Sequence, residues 1–541
     1  ILATKHNLIY LKFCHVLKDG TYNYTVNSIG DATNHTLDSF FGTDGDRRFY
    51  IQGYFNYDRA FGDHHVGGML LYNQDEYNSN VNSSLLNSLP KRRMGIAVRA
   101  AYDYANRYLF EFNAGYNGSE NFAKGHRFGF FPSVSVGWNI SQEKFWEPIR
   151  NIVSNFKIRG SYGLVGNDQV PYTRFLYMGI TTLNDSPSYQ TGYGSHKESH
   201  NGPTFSRFEN EDMTWEVGHK LNVGADIQLF NSLNLTVDAF REIRSNILTT
   251  KGSIPNYLGA AKTVIYGNFA KVKNWGVDLA VDYGKQINRD LSIQFKGTFT
   301  FARNRVMETD EAADIRPALS AVGKPLNTLW GYVADGLYID EADIANNPTS
   351  TLGNITIAAG DVKYVDQPDV NGNYDGQIDS DDRVAIGHPT IPEIIYGFGP
   401  SITWKKWDFS VFFQGQANVS LMMSGFEPFG TQSKNNVLEW IAEDYWSKEN
   451  QNPNAKYPRL TKYNNNNNMQ SSTYWLRNAA FLKLKNAEVG YNFKWGRVYM
   501  SGTNLLTFSP FKLWDPEMGG GKGMAYPTQR TFNLGVQITF K

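Results

Sequence analysis

The stretch Leu291–Phe301, with the sequence LSIQFKGTFTF, alternates apolar and polar side chains. Its apolar members are Leu291, Ile293, Phe295, Phe299 and Phe301, and its polar members are Ser292, Gln294, Lys296, Thr298 and Thr300. Successive side chains of a β-strand point to opposite faces, whereas a helix repeats its apolar residues every three or four positions. The stretch therefore predicts a strand with one apolar face and one polar face.

The same alternation recurs along the chain, with clear examples at Phe49–Asp58, Met94–Asp103, Tyr108–Tyr116 and Phe532–Lys541. We count about 15 such segments between Arg47 and the end of the sequence. Each is roughly 10 residues long, whereas strands of soluble proteins typically have about 5–6. A tilted strand needs roughly 9–11 residues to cross a bilayer, so the segments predict an all-β fold, an antiparallel transmembrane β-barrel.

The connections between these segments alternate in length. Short ones, such as 59–63 and 105–107, alternate with long ones, of which the most prominent are 166–214, 305–393, 418–479 and 507–530. Outer-membrane barrels have short periplasmic turns and longer extracellular loops, so the long connections are predicted to lie outside the cell. We assign residues 47–541 to the barrel and leave residues 1–46 as a loop or strand region of uncertain assignment.

Composition restricts the class of protein. Lys and Arg number 52 and Asp and Glu number 52 in 541 residues, whereas a nucleic-acid binder carries a basic excess. The single cysteine, Cys14, excludes an internal disulfide and a thiolate metal cluster. Aromatic residues make up 15% of the chain, which suits the aromatic girdles at the two membrane interfaces of a barrel. The sequence contains no run of about 18 apolar residues and so predicts no transmembrane helix.

A soluble all-β protein, such as tandem sandwiches or a propeller, is the alternative explanation of the alternation. Soluble strands are shorter, and their connections do not alternate in length. The sequence also has no internal repeat of about 40–50 residues, which a propeller would require. These three observations favour the membrane barrel.

Eight segments carry motifs in a common order and spacing. They are Lys157–Asn167 (KIRGSYGLVGN), Asn210–Asp226, Val272–Asp282, Gly360–Gly387 (beginning GDVKYVDQ), Phe413–Gly415, Tyr474–Tyr491, Gly502–Glu517 (GTNLLTFSPFKLWDPE) and Tyr526–Phe540. From about residue 47 to the end, the sequence resembles the SusC/RagA-type TonB-dependent transporters of Bacteroidetes outer membranes. Each motif alone is weak, but their shared order makes the resemblance specific.

The resemblance implies that the chain is the C-terminal barrel portion, with about 15–16 strands of a barrel of roughly 22. The family's plug domain has no counterpart in these residues, so we expect it on a missing N-terminal portion or on a separate chain. Active import of oligosaccharides or peptides through a barrel set in outer-membrane lipid is the implied function. The implied partners are a SusD-like surface lipoprotein that acts as a lid, and TonB with ExbB and ExbD, which act through the plug. The loop 305–393 is the best candidate for contact with the lid.

Two other functions stay open, an adhesin or binding barrel and a passive porin. We expect no enzyme, because the sequence contains no nucleophile elbow, P-loop or dinucleotide-binding motif. The histidines of His196–His200 lie in a Gly- and Ser-rich loop, and a solvated loop is the favoured explanation. Aromatic residues in 440–446 and 463–474 either stack on sugars or peptides or pack within their loops. The Asn464–Asn468 tract is predicted to be mobile.

One segment has the spacing of a metal-binding loop. Oxygen donors at positions 1, 3, 5, 7, 9 and 12 of an EF-hand-like register would be Asn371, Asn373, Asp375, the Gln377 carbonyl, Asp379 and Asp382. Asp369 competes with Asn371 for the first position. The segment predicts a structural Ca²⁺ or Mg²⁺ ion, and the alternative is a solvated loop of Asx turns without an ion.

Overall fold

The computed structural model describes residues 45–80, 85–170, 174–253, 264–312, 315–425, 437–461 and 464–540, and the backbone of four short strands before residue 45. Those strands form two antiparallel pairs, Ala3–Lys5 with Asp38–Phe40 and Ile9–Val16 with Tyr22–Ser28. The chain forms two compact units, residues 1–51 with 74–93 and residues 52–73 with 94–541. Within the smaller unit, the Arg48 side chain donates to Asp75 at 2.7 Å and the Arg92 side chain donates to Glu76 at 2.8 Å.

Fifteen strands form one sheet within the described ranges, and each lies beside the next along the chain. They are β1 (Asp46–Phe61), β2 (His64–Ser79), β3 (Lys91–Tyr104), β4 (Tyr108–Ser119), β5 (Phe128–Asn139), β6 (Val153–Asn167), β7 (Glu216–Leu229), β8 (Leu233–Thr250), β9 (Tyr266–Asn288), β10 (Leu291–Glu308), β11 (Ile394–Trp404), β12 (Trp407–Ala417), β13 (Phe481–Phe493), β14 (Gly496–Phe508) and β15 (Thr531–Ile538). The pairings from β4 to β15 are antiparallel. This sheet confirms the predicted all-β antiparallel fold and the count of about 15 strands.

The register of β9 and β10 separates the two faces of the sheet. Phe299 lies opposite Leu279, and Thr300 lies opposite Asp278. Directly opposed residues of an antiparallel pair share a face, so the first pair is on the apolar face and the second on the polar face. On the polar face, the Thr300 hydroxyl donates to the Asp278 carboxylate at 2.7 Å. The alternation predicted for Leu291–Phe301 is confirmed.

Large apolar side chains stand exposed on the apolar face across the larger unit. They include Phe110, Val136, Val223, Val277, Phe299, Ile402, Phe409, Met500 and Leu534. Their registers place them on one face from β4 to β15. A continuous apolar surface of this size needs a covering layer, because soluble monomers rarely expose one.

The remaining elements are short and lie in the connections. The strands are Ile180–Thr191, Glu198–Arg207, Leu329–Gly331, Ala334–Leu337, Thr349–Ser350, Val362–Tyr364, Gln377–Ile378, Val384–Ile386, Ser420–Met422 and Leu476–Asn478. The α-helices are Leu85–Ser88, Glu341–Ala345 and Glu439–Ala442, and the 3₁₀-helices are Ile140–Gln142, Lys144–Ile149, Ser380–Asp382 and Pro516–Met518. Within the described ranges, no helix is both long enough and apolar enough to cross a membrane.

The connections after β10 and after β12 fold together around apolar cores. In one core, Val362 and Tyr364 of the first connection pack with Trp446 of the second. In the other, Ile441 and Trp475 of the second connection pack with neighbours that include Phe511 of the connection after β14. We call the described parts of residues 309–393 and 418–480 the loop module. Because it has a core of its own, the module presents a formed surface rather than separate mobile loops.

The asparagine tract Asn464–Asn468 was predicted to be mobile, and the structure shows that this prediction is wrong. Asn465, Asn467 and Asn468 are buried in the loop module. The Asn467 amide donates to the Val362 carbonyl at 2.9 Å, and the Asn468 amide donates to Asp361 at 2.9 Å. Buried polar groups are nearly always hydrogen-bonded, and an amide side chain can both donate and accept. The tract therefore acts as a polar core of the module.

Candidate functional site

The polar face of the sheet carries cross-strand ion pairs. Arg159 on β6 makes two 2.7 Å hydrogen bonds to Asp238 on β8 and one of 3.1 Å to Asp226 on β7. Gly224 lies between these groups, and a Cβ at this position would come within 2.4 Å of Asp238. The glycine thus lets the guanidinium lie flat against the strand and reach across it.

Further pairs continue across the same sheet. They are Arg99 with Glu111 at 2.6 Å, Arg244 with Glu242 at 2.9 Å and Lys296 with Asp282 at 3.6 Å. Because each of these cations has an anion beside it, the pairs offer many hydrogen-bonding groups with little net field. Such a wall suits a hydrated neutral or weakly charged solute better than a highly charged one.

A recess with a volume of about 500 Å³ opens beside the ends of β7 to β10 that lead into the long connections. Its polar lining residues are Glu216, Glu242, Arg244, Asn274, Asn304, Asn327 and Glu393, and Pro389, Ile391 and Pro392 are among its apolar ones. A concave site with an apolar floor and a few convergent polar groups is the usual form of a small-ligand site. Sequence reasoning named no substrate-binding residue, because the recess joins residues from four strands and a distant connection.

The segment predicted to bind a metal is a folded loop, and its predicted donors lie in two different environments. Asn371 and Asn373 are exposed in a turn closed by Asp369, whose carboxylate accepts from their backbone N–H groups at 2.7 and 2.9 Å. Asp375 is exposed and lies 3.9 Å from the guanidinium of Arg316. The two asparagines and Asp375 therefore point into solvent or towards a cation.

The second half of the loop is buried. Asp382 is 2% exposed, and its carboxylate accepts from the backbone N–H groups of Asp379 and Gln367, both at 2.7 Å. Burial, together with the nearby carboxylates of Asp366 and Asp379, raises the pKa of Asp382 above its usual value, although the two backbone hydrogen bonds oppose the shift. The Asp379 carboxylate caps the short helix Ser380–Asp382 by accepting from Asp381 N–H at 2.8 Å.

Sequence reasoning missed Asp366. This residue is 7% exposed, and its Oδ2 accepts from Gly376 N–H at 2.9 Å. Gly376 has φ of +74°, a left-handed conformation that favours glycine. Within the described residues, no group of three or more His, Cys, Asp or Glu side chains is arranged as a metal site. The prediction of an ion at the six donors named from the sequence stays a prediction.

The other candidates have local structural partners. His200 hydrogen-bonds with the Thr191 hydroxyl at 2.7 Å across the hairpin of Ile180–Thr191 and Glu198–Arg207, and His196 lies in the turn between these strands. Trp446 is buried in the loop module, and Trp440 packs on Tyr457 with ring centroids 4.8 Å apart. For these two tryptophans the structure favours packing over stacking on a ligand. Tyr463 lies outside the described residues.

A buried lysine fixes the connection after β14. Lys483, at the start of β13, is fully buried and contacts Asp515 at 2.8 Å and also Glu517. Burial alone would raise the pKa of Asp515, but hydrogen bonds from Lys483 and Thr528 outweigh it and hold this pKa below its usual value. Asp515 therefore stays ionised while the connection is folded.

The lowered pKa of Asp515 predicts a pH dependence. Stability from its ionisation is fully present above the unfolded pKa of about 3.9 and is lost as pH falls through the lower folded value. A fluorophore at a cysteine replacing the exposed Met524 should report a rigid loop at neutral pH and a mobile one only below about pH 4. In Lys483→Met, the loop should become mobile at a higher pH, because the burial of Asp515 then raises its pKa without the opposing hydrogen bond from Lys483. Lys485→Met, which removes a contact to Glu517 only, is the matched control. An unchanged profile in Lys483→Met would contradict the assignment.

The sequence was compared with protein-family models and with curated proteins. The family model described as "TonB dependent receptor-like, beta-barrel" matches residues 5–505. The TonB-dependent receptor P3 of Formosa agariphila is 26% identical over 479 residues, which cover 82% of this chain and 45% of the relative. The TonB-dependent receptor SusC of Bacteroides thetaiotaomicron is 24% identical over 464 residues, covering 82% of this chain and 43% of the relative.

A solved structure supports the fold. The structure of the RagAB peptide transporter superposes on this chain with a TM-score of 0.68 at 21% identity, covering 92% of this chain and 56% of that chain. At this identity the likeness establishes the fold. The chain spans about half the length of the curated relatives that it matches.

Proposed function

Since this chain belongs to the TonB-dependent receptor-like β-barrel family of the outer membrane, and is of the SusC/RagA type, we propose that it forms the barrel wall of an active importer. Its cargo is an oligosaccharide or a peptide, and a SusD-like surface lipoprotein works with it as a lid. TonB, energised by ExbB and ExbD, acts through the plug of the complete protein. The observation that carries the proposal is the family match over residues 5–505.

The two faces of the sheet support this role. The apolar face suits contact with outer-membrane lipid, and the polar face suits a wall around a water-filled or plugged lumen. The ion pairs centred on Arg159 give that wall donors and acceptors without a strong net field. Oligosaccharides and peptides both present many hydrogen-bonding groups and little charge, which matches such a wall. The recess beside Glu242 and Asn304 is the proposed first contact for cargo that enters from outside.

The loop module supports the proposed partner. Its core holds the connections after β10 and β12 as one formed surface above the ends of the strands, and a lid needs a surface of this kind. A pre-formed surface loses less conformational freedom on binding than mobile loops would. The solved neighbour is titled a peptide transporter, which is a statement about that protein and leaves the cargo of this chain open between the two classes.

Uptake by intact cells tests the proposal. Cells that produce the complete protein should accumulate labelled oligosaccharides or labelled peptides, and deletion of tonB should abolish the accumulation. A passive porin would import without TonB, and an adhesin would bind cargo at the surface without accumulating it. Either of those results would contradict active import.

Purification from outer membranes in mild detergent tests the partner. A surface lipoprotein should co-purify with the complete protein at equal stoichiometry. Removal of residues that carry the loop module should release the lipoprotein and leave the barrel in the membrane. If import proceeds in a strain without any co-purifying lipoprotein, the lid assignment is wrong, although active import stands.

A further inference from the structure

We infer that Asp366–Asp382 binds one Ca²⁺ ion, with Asp366 as its first carboxylate ligand in place of the exposed Asn371 and Asn373. The ligand set that we propose is Asp366, Asp375, the Gln377 backbone carbonyl, Asp379 and Asp382. The ion would have a structural role within the loop module. This inference is independent of the cargo and of active import.

The main observation is an unpartnered buried oxygen. Asp366 has an exposed fraction of 7%. Its Oδ1 has no hydrogen-bond partner within the described residues. The other buried carboxylate of the loop, Asp382, has both oxygens on backbone N–H groups. Neither carboxylate forms an ion pair with a described Lys, Arg or His side chain. A buried carboxylate is unfavourable unless it is paired or coordinates a metal, so a cation is the missing partner.

The hydrogen bonds explain why Asp366 takes the first position. The glycine of the loop, Gly376, donates its N–H to Asp366. Counting back from Gly376 in the sequence places Asn371 at position 1. However, residues 367–374 include an added turn closed by Asp369, which carries the asparagines away from the buried side. Because of the added turn, Asp366 is farther from Gly376 in the sequence than position 1 of an EF-hand is from its glycine. In space, Asp366 still lies beside Gly376.

Strand pairing orients the backbone ligand. The N–H groups of Thr349 and Thr351 donate to the carbonyls of Gly376 and Ile378, both at 2.9 Å. Carbonyls alternate in direction along a strand, so the Gln377 carbonyl between them points to the other side. An EF-hand supplies a backbone carbonyl at this seventh position. Asp375 is exposed in this structure, 3.9 Å from the Arg316 guanidinium, and would turn inward to complete the set when the ion binds.

The donor set favours calcium over magnesium. Carboxylate and carbonyl oxygens at uneven spacing suit Ca²⁺, which takes 6–8 oxygen ligands in flexible geometry, with water filling the remaining positions. Mg²⁺ demands near-ideal octahedral geometry and keeps several waters. Because Asp stands at position 12 where an EF-hand has a bidentate Glu, the affinity should lie in the range of extracellular modules, with Kd of about 0.1–1 mM.

Calcium titration of the complete protein tests the inference. The detergent-purified protein, stripped with a chelator, is titrated with CaCl₂ and with MgCl₂ by calorimetry. We expect a saturable calcium site that Asp366→Asn and Asp382→Asn each weaken at least tenfold, and that MgCl₂ at equal concentration does not fill. Asp381→Asn, at the adjacent carboxylate paired with Arg316, should bind within twofold of the wild type. Asn371→Ala should do the same.

A structural readout accompanies the titration. Calcium should slow proteolysis of the wild-type segment 366–382 and leave its cleavage in Asp366→Asn unchanged. The absence of saturable calcium binding in the wild type would overturn the inference, whatever the variants do. Equal affinity in Asp366→Asn and the wild type would also overturn it. Loss of binding in Asn371→Ala would assign the first position to the asparagine and refute Asp366.

Discussion

Replacing Asp361 by alanine should open the loop module at a cost of about 3–5 kcal/mol, because the change leaves a charged guanidinium without its buried partner. Asp361 is fully buried and receives Arg459 at 2.7 and 2.9 Å. The amides of Asn465 and Asn468 donate to the same carboxylate at 2.8 and 2.9 Å. All these donors lose their acceptor together, and the side chains of Asn465 and Asn468 are buried with the carboxylate.

Hydrogen exchange of the complete protein measures this effect. The backbone N–H of Val362 donates to the Asn468 side chain. In Asp361→Ala, the free energy of opening that protects this N–H from exchange should be about 3–5 kcal/mol lower than in the wild type. Asp335→Ala is the matched control, since this carboxylate is exposed and lies 3.5 Å from Lys363. An exposed pair contributes about 0–1 kcal/mol, so protection should barely change. Equal protection in the two variants would refute the polar core.

Arginine at position 299 should destabilise the barrel by about 2–4 kcal/mol, the cost of an arginine on the lipid face near the middle of the bilayer. Phe299 lies near the centre of β10 and is exposed on the apolar face. Arginine at the neighbouring position 298 should cost little. Thr298 is on the polar face opposite Ala280, and the next polar-face residues of β9 are Asp278 and Asp282.

Urea titration of folding into phospholipid vesicles compares Phe299→Arg with Thr298→Arg. The two variants introduce the same side chain one residue apart, so a difference between them reports the environment of each face. Phe299→Leu is the control for loss of the aromatic ring. If Thr298→Arg were the more destabilising change, the assignment of the two faces would be reversed.

The sheet could be predicted because its signal is local. Each strand carries its own period of two, as in Leu291–Phe301, and one face must be apolar along its whole length. Where a connection is short, as between β1 and β2 or between β9 and β10, the two strands are close in the chain and pair with each other.

The loop module could not be predicted, because its contacts join residues far apart in sequence. Asp361 and Arg459 are 98 positions apart, and no local pattern links them. The tract Asn464–Asn468 misled prediction for the same reason. From composition alone, a run of polar residues is predicted to be solvated. The hydrogen-bond partners that bury this tract, Asp361 and Val362, lie in another connection.

The local structure of segment 366–382 was predicted in part, and the ion itself stays a prediction. Spacing located Asp375, Gly376, Asp379 and Asp382 in one turn-forming segment, because these residues are close in the chain. Spacing could not find Asp366, since a fixed register does not allow for an added turn. A signal was nevertheless present: Asp366 ends the GDVKYVD segment, which contains the short strand Val362–Tyr364.

The measurement that tests the central claim most directly is spin-label accessibility along β10 in the complete protein in membranes. Labels are placed singly at positions 293–301 after native cysteines, including Cys14, are replaced. The claim is that lipid covers one face of the sheet and that the other face lines the lumen. It predicts that oxygen collision rates peak at the odd positions, including 293, 295, 299 and 301, and fall at 294, 296, 298 and 300. Accessibility without a period of two, or with maxima at the even positions, would contradict the claim.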